Sequence, residues 1–343
     1  MTKAKPLTSI IVVNYNGGTE LNDCLRSVVQ CTQYPYELIV VDNASTDGSL
    51  DRIRDEFPSV LVICNRENEG YSGAVNRGLG EASGKYIAVL NMDIIVEERW
   101  LEPMVRFLEE NPHAGAVNPL LLIHQDSGKI NALGQIIQWS GLGFNRKLRW
   151  PRNMADEAPT RISGLQGAVF VVRTDLFKLI GGMNEACFMY HEDVDLSWVI
   201  YLAGFDIFTV PDSVAYHRYA LKLTPPKLQL LERNRWAMLL TNLKTVTLFA
   251  LAPYFVATEL LILTYCLFHG RSFLKVKASS IHEVWRRRDL IRERRRFIET
   301  IRVRADTAIL RVMHPILVWD QVVGLFLNPG KPNVGWTSRL GKA

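Results

Sequence analysis

Ser9-Ile10-Ile11-Val12-Val13-Asn14-Tyr15-Asn16-Gly17-Gly18 opens the chain with a short β-branched run that stops abruptly in a polar, glycine-containing turn. The same grammar recurs at Glu37–Asp42, which exits into Asn43-Ala44-Ser45-Thr46-Asp47-Gly48, and at Val60–Asn65, which exits into Arg66-Glu67-Asn68-Glu69-Gly70. It appears a fourth time at Tyr86–Leu90, followed by Asn91-Met92-Asp93, and a fifth apolar run covers Ala114–Val117. Between these runs Thr19–Cys31, Ser49–Phe57, Gly73–Ala82 and Glu98–Glu110 read as helices long enough for crossovers. Alternating strands and helices predict βαβ units and an open, doubly wound α/β sheet. Ligands of such sheets bind beyond the carboxyl ends of the strands, where four runs here end in Asn or Asp. Asn, Asp and Gly also make ordinary turns, and Asp47 or Ser49 could simply cap a helix. Acids after both the second and the fourth run go beyond what turns require.

The 343 residues, 48% hydrophobic and 22% charged, suit one large α/β domain with an appendage and exclude disorder or a fibrous repeat. Forty basic against thirty-five acidic residues give +5, which by itself names no partner. Cys24, Cys31, Cys64, Cys187 and Cys266 form no metal spacing and no disulfide framework, which fits a reducing compartment. Despite Lys3 and Lys5, Ile10–Val13 is too short for the core of a signal peptide. The catalytic part is therefore expected on the cytoplasmic side.

Residues 121–165 read as a loop-rich segment or acceptor-side flap with Trp139, Phe144 and Trp150. A strand at Gly167–Val172 and a helix at Thr174–Ile180 follow. Then come Tyr190-His191-Glu192-Asp193-Val194-Asp195-Leu196, an amphipathic helix to Ala203, a strand at Ile207–Val210 and Ala215-Tyr216-His217-Arg218. Thr245–Phe268 is almost wholly apolar and long enough for a bilayer, yet holds Pro253 and Glu259 between basic flanks. A re-entrant or interface-lying hairpin fits it better than a clean span. Residues 281–304 interleave nine arginines, from Arg286 to Arg304, with Trp285, Leu290, Ile291, Phe297, Ile298 and Ile301. That spacing describes a basic amphipathic helix, open to three readings: a solvated face, nucleic-acid binding, or attraction to anionic lipid. The adjoining apolar stretch favours the anionic membrane surface over nucleic acid. Ala308–Leu327, broken by Arg311, His314, Pro315 and Asp320, reads as another surface-lying segment.

Residues 9–16, 41–49, 68–78 (Asn-Glu-Gly-Tyr-Ser-Gly-Ala-Val-Asn-Arg-Gly), 91–93 and 190–196 together resemble the family 2 glycosyltransferases of the GT-A fold, in their rhamnosyltransferase-like branch. The resemblance covers roughly residues 7–220, in the family's order. It implies a GT-A-type mixed sheet at 1–225, with a helical membrane-associated region at 226–343. It implies that Asn14, Tyr15, Asn16, Asp42 and Asn43 hold the nucleoside, with Asn76, Asn91 and Asp195 also among substrate-binding residues. Asp93 would bind a divalent cation, Mn²⁺ or Mg²⁺, with His217 as a further ligand; a core or turn histidine is the plainer reading of His217. Asp193 would be the catalytic base, with Glu192 beside it. The reaction implied is inverting transfer from a nucleotide-diphosphate sugar, rhamnose on dTDP first, to a lipid-linked or membrane-proximal glycan acceptor. A homo-oligomer through the apolar C-terminal part is a further expectation. Asn91 replaces the first acid of the family's metal motif and Val199 replaces a frequent arginine, so metal use is weaker in sequence than transfer itself. The alternative is a non-catalytic, membrane-anchored scaffold that keeps the fold and binds nucleotide. Gly78–Gly84, the sequon Asn43-Ala44-Ser45 and His191-Glu192 each lack the context that a dinucleotide, glycan or zinc motif needs.

Overall fold

The computed structural model describes residues 8–51, 53–218 and 223–327. Residues 1–7, with Lys3 and Lys5, and 328–343 of the C-terminal region lie outside them. The first half runs β1 (Thr8–Asn14), α1 (Gly18–Cys31), β2 (Tyr36–Asp42), α2 (Ile53–Glu56), β3 (Leu61–Cys64), α3 (Gly70–Glu81), β4 (Tyr86–Asn91), β5 (Ile94–Val96) and α4 (Leu101–Glu110). Next come β6 (Ala114–Ile123), β7 (Asp126–Ala132), β8 (Gln135–Ile137), β9 (Gly143–Asn145), β10 (Thr160–Arg161), β11 (Val169–Arg173), α5 (Thr174–Leu179), α6 (Glu192–Leu202) and β12 (Asp206–His217). Helices complete it: α7 (Pro225–Asn242), α8 (Thr245–Ala250), α9 (Ala252–His269), α10 (Arg271–Arg286), α11 (Arg288–Ile301), α12 (Asp306–Leu310) and α13 (Trp319–Leu327).

The main sheet has the order β10-β12-β6-β11-β4-β1-β2-β3, with β5 on β12 and β7 on β6. β1–β4 pair in parallel, whereas β11 lies antiparallel between β4 and β6, so the sheet is mixed. Both faces are covered, which explains the uninterrupted apolar runs. Ile10 and Val12 of β1 face α1 and α4, while Ile11 and Val13 face the layer of α3, α5 and α6. The four expected crossover helices occur, but the second shrinks to the single turn Ile53–Glu56.

Three expectations change. The segment 121–165 contains the continuation of β6, the β6–β7 hairpin and the β8–β9 hairpin, so it walls the site with strands. Residues 207–217 form one strand with an irregularity between Val210 and Val214 rather than two separate pieces. α6 is buried on nearly every side and is not amphipathic in place, because α7, α11 and α12 cover the face turned away from the sheet.

The apolar stretch 245–268 is divided between α8 and α9, with Pro253 in the first turn of α9. α9 is the one helix among the described residues long and apolar enough to cross a bilayer, by length and composition. Its Glu259 points inward to Arg235, Trp236 Nε1 (2.9 Å) and Lys277 Nζ (2.7 Å). The basic stretch also differs from its reading: a break at Arg287 splits it between α10 and α11, and five of its arginines are engaged inside the protein. Arg287, Arg295 and Arg304 donate to the carbonyls of Ala186, Leu240 and Gly204. Arg294 pairs with Asp195, and Arg302 with Asp306. Arg287, Arg294 and Arg304 fasten the C-terminal helices to the sheet domain, and Arg295 and Arg302 fasten those helices to one another.

Candidate active site

The β4–β5 turn places Asn91, Met92 and Asp93 at the mouth of a cavity of about 550 Å³. Antiparallel pairing of His217 with Ile94 carries the imidazole to this turn, and His217 Nε2 lies 3.3 Å from Asp93 Oδ2. Nδ1 of the same ring meets Asn131 Oδ1 at 3.1 Å, which fixes its orientation. Asp93 Oδ1 and Asn91 Oδ1 are buried oxygens with no hydrogen-bond partner among the described residues. Two such oxygens beside an imidazole nitrogen suit Mn²⁺ or Mg²⁺, which need few protein ligands when substrate phosphates complete the shell. No group of three or more His, Cys, Asp and Glu converges anywhere among the described residues, so a cation here would have Asp93, His217 and the Asn91 oxygen as its protein ligands and would rely on substrate phosphates for the rest.

The other wall is the start of α6. Glu192 and Asp193 both line the cavity. Asp193 Oδ2 accepts from Gln135 Nε2 (2.7 Å) and the Gly167 amide (3.1 Å), and Oδ1 accepts from the Val194 amide (2.8 Å). Glu192 Oε2 has no such partner among the described residues. Burial raises the Glu192 carboxyl from its ordinary 4.5 to about 8, with the Asp193 charge adding to the effect. Burial likewise raises Asp193, while its N–H donors act in the opposite direction. His191 is pushed down to about 4 by burial and then by Arg235, so this ring is neutral at pH 7. Paired carboxyls with raised affinities, facing a cavity, are a recurring property of acid–base sites.

The loop entering α6 is strained. Phe188, Tyr190 and His191 have φ of 62°, 65° and 71°, a region that side chains other than glycine occupy at a cost of about 1–3 kcal/mol each. Asn234 of α7 holds it, its Nδ2 donating to the carbonyls of Cys187 (2.9 Å), Met189 (3.1 Å) and Tyr190 (2.7 Å). Arg233 Nη2 reaches Cys187 O at 2.7 Å. On the opposite side Gly70 has φ of 74°, and a Cβ there would come within 2.3 Å of Phe188 O. Only glycine allows α3 to start so close to this loop.

Tyr15, Asn43, Asn91, Asp93, Glu192, Asp193 and His217 therefore meet at one cavity. Five other expected site residues do not line it. Asp42 is buried and accepts from Asn14 Nδ2 (2.6 Å), the Ser45 hydroxyl (2.6 Å) and the Ser45 amide (3.0 Å), so Asn14 and Asp42 brace the loop behind Tyr15. Asn16 accepts the Thr46 amide at 2.8 Å in the same bracket. Asn76 clasps the turn after α5 through Met183 N and O (2.8 and 2.9 Å). Asp195 is fully buried between Asn242 Nδ2 (2.8 Å) and Arg294 Nη2 (3.0 Å), where it anchors the C-terminal helices. Its position in α6, two residues past Asp193, turns it away from the cavity. Gln135, Gly167, Asn234 and Lys227 went unread, since each reaches the site from a distant segment with no local motif.

Residues 9–170 match the family model described as glycosyl transferase family 2. The N-acetylglucosaminyl-diphospho-decaprenol L-rhamnosyltransferase of Mycobacterium tuberculosis is 28% identical over 233 residues, which cover 62% of this chain and 76% of that relative. A crystal structure of GalNAc-T7 with UDP, GalNAc and Mn²⁺ is similar with a TM-score of 0.57 at 20% identity, over 70% of this chain and 48% of that one. The mannosyltransferase PcManGT of Pyrobaculum calidifontis, in complex with GDP-Man and Mn²⁺, is similar with a TM-score of 0.53 at 17% identity, over 90% and 88%. With its mixed GT-A-type sheet and the matched segment running from β1 into β11, the chain is a glycosyltransferase that carries a family 2 domain and is similar to the rhamnosyltransferase-like branch.

Proposed function

We propose that this enzyme transfers a sugar, rhamnose from dTDP-rhamnose first among candidates, to a lipid-linked glycan acceptor with inversion at the anomeric carbon. The observation that carries the mechanism is the Glu192–Asp193 pair in one cavity with Asp93 and His217. The acceptor oxygen attacks the anomeric carbon as the bond to the diphosphate breaks, and the hydroxyl proton passes to the carboxylate pair. One displacement needs one base and no covalent nucleophile. Gln135 and the Gly167 amide keep Asp193 aimed, and Tyr15 and Asn43 face the nucleoside. A Mn²⁺ or Mg²⁺ held by Asp93 and His217, with Asn91 beside them, would neutralise the charge of the departing nucleoside diphosphate. The test is turnover of a panel of dTDP-, UDP- and GDP-sugars with Mn²⁺, Mg²⁺ or chelator. One donor is expected to be selected, with loss of at least about a hundredfold in chelator and in Asp93→Ala. Full turnover in chelator would remove the metal from the mechanism.

We further propose that the enzyme lies on the cytoplasmic face of the membrane. Val256, Leu260, Leu263 and Leu267 are exposed on α9 at helical spacing, and Phe249 and Val246 are exposed on α8 just before it. The inward ion pairs of Glu259 favour a helix lying in the interface over a span. Each apolar side chain immersed contributes roughly 1.5–3 kcal/mol, so Leu260→Glu with Leu267→Glu is expected to lower vesicle co-sedimentation more than about tenfold. Unaltered sedimentation would point to another contact surface. Salt should matter less than nine arginines suggest, because five are engaged internally.

A further inference from the structure

The polar groups of the cavity concentrate at one end, with Lys227, the mutually paired Glu232 and Arg235 and the Gln321 amide the polar side chains that α7 and α13 add. Past Glu192 it continues between α7, α9 and α13, where Leu228, Leu231, Leu261, Ile262, Val322 and Phe326 form its wall. Leu228, Ile262 and Phe326 belong to one apolar cluster that the sheet domain does not share. At the junction of the two ends stands Lys227, in the first turn of α7, with Nζ 4.6 Å from the centre of the Tyr190 ring. The other buried cations here are balanced: Arg235 and Lys277 pair with Glu232 and Glu259. Among the described residues Lys227 makes no ion pair of that kind, and the carboxyl that acts on it is Glu192. Burial lowers its proton affinity, so an anion placed beside it would be favourably met. The helix dipole of α7 adds to that positive end.

The order along the cavity is thus a carboxylate pair, a cation and an apolar slot. An amphiphile whose sugar is joined to a prenyl chain through a diphosphate has the matching order of groups. We propose that Lys227 and the apolar slot form the acceptor subsite: Lys227 takes the diphosphate, the slot takes the first isoprene units, and the sugar hydroxyl is thereby brought to Glu192 and Asp193. This deepens the lipid-linked reading above and rests on it. The slot is bounded by α9, whose opposite face carries the exposed stripe, so the rest of a long chain has a short route to the bilayer. On this view the C-terminal helices supply half of the active site.

The test uses the detergent-solubilised full chain with dTDP present, and the probes farnesyl diphosphate, farnesol and inorganic pyrophosphate. Farnesyl diphosphate is expected to bind at least about tenfold more tightly than either fragment, since charge and apolar burial act together. Lys227→Gln should weaken it about tenfold and Lys227→Arg should restore most of the loss. Ile262→Trp, which fills the slot, should weaken farnesyl diphosphate and leave pyrophosphate alone. Pyrophosphate binding as well as farnesyl diphosphate, or affinity indifferent to both Lys227→Gln and Ile262→Trp, would overturn the subsite. Sugar-nucleotide turnover without farnesyl diphosphate binding would overturn this inference and spare glycosyl transfer; farnesyl diphosphate binding without turnover of any donor would support the subsite and count against the proposed reaction.

Discussion

Glu192→Gln is expected to lower turnover by about two to four orders of magnitude while making the protein more stable at pH 8 and above. The two effects share one cause. Folding raises the Glu192 carboxyl from 4.5 to about 8, chiefly by burial, so the folded state prefers it protonated. Its contribution is therefore fully favourable below about 4.5 and declines as pH rises toward 8. The neutral amide removes that decline, and the melting temperature of the variant should exceed that of the parent by most at alkaline pH. Activity follows the opposite course, because the base must be ionised: the rate of the parent enzyme should rise with pH along a limb near 8 that belongs to the pair. Asp193→Asn should also lose turnover, yet without the gain in stability, since an amide NH₂ facing Gln135 Nε2 or the Gly167 N–H replaces an acceptor by a donor. Paired kinetic and thermal-melt profiles from pH 5 to pH 9 check both statements. A Glu192→Gln enzyme with parental turnover would transfer the role of base to Asp193 alone.

Asn234→Ala is expected to cost about 2–4 kcal/mol and most of the activity, although Asn234 lies outside the family-matched segment. Its amide is the shared donor for three carbonyls of a loop in which Phe188, Tyr190 and His191 have positive φ. Without it the Met189 and Tyr190 carbonyls lose this donor, while Cys187 O keeps Arg233, and the strained residues can relax toward ordinary conformations, carrying Glu192 away from the cavity. Thermal melts and kcat measured together test this. A variant that melts lower but turns over normally would show that Arg233 and Gly70 suffice to shape the loop.

The same loop explains the limits of reading this chain as a string. Most strands were legible because both sheet faces are covered and short apolar β-branched runs leave few other solutions, the edge strand β3 being half exposed; β1 begins one residue before its expected start and β2 likewise. That Asn91, Asp93, Glu192, Asp193 and His217 come together was legible because strand ends and a helix start on one edge of such a sheet face the same space, and all five line one cavity. Asp195 was misplaced for a physical reason: a motif spells out acids in order, but helical rotation decides which of them faces the cavity and which faces a neighbouring helix. Asn14 and Asp42 end strands and Asn76 lies on α3, and residue type alone does not tell whether an amide or carboxylate at such a position binds substrate or braces a neighbouring loop.

The sequence by itself determined the alternation of elements, the switch of composition near residue 225 and the acids at the strand ends, since each of these depends on local periodicity and residue type. Only the tertiary structure decided that Arg287, Arg294, Arg295, Arg302 and Arg304 are fasteners, that the strands after residue 120 form a wall and that α7 shapes the loop entering α6. Those outcomes depend on which carbonyls, carboxylates and apolar faces are brought together across more than forty residues of chain, as in the 47-residue separation of Asn234 from Cys187. Local pattern contains no record of such pairings, because the energy that fixes them arises only when the partners leave water together.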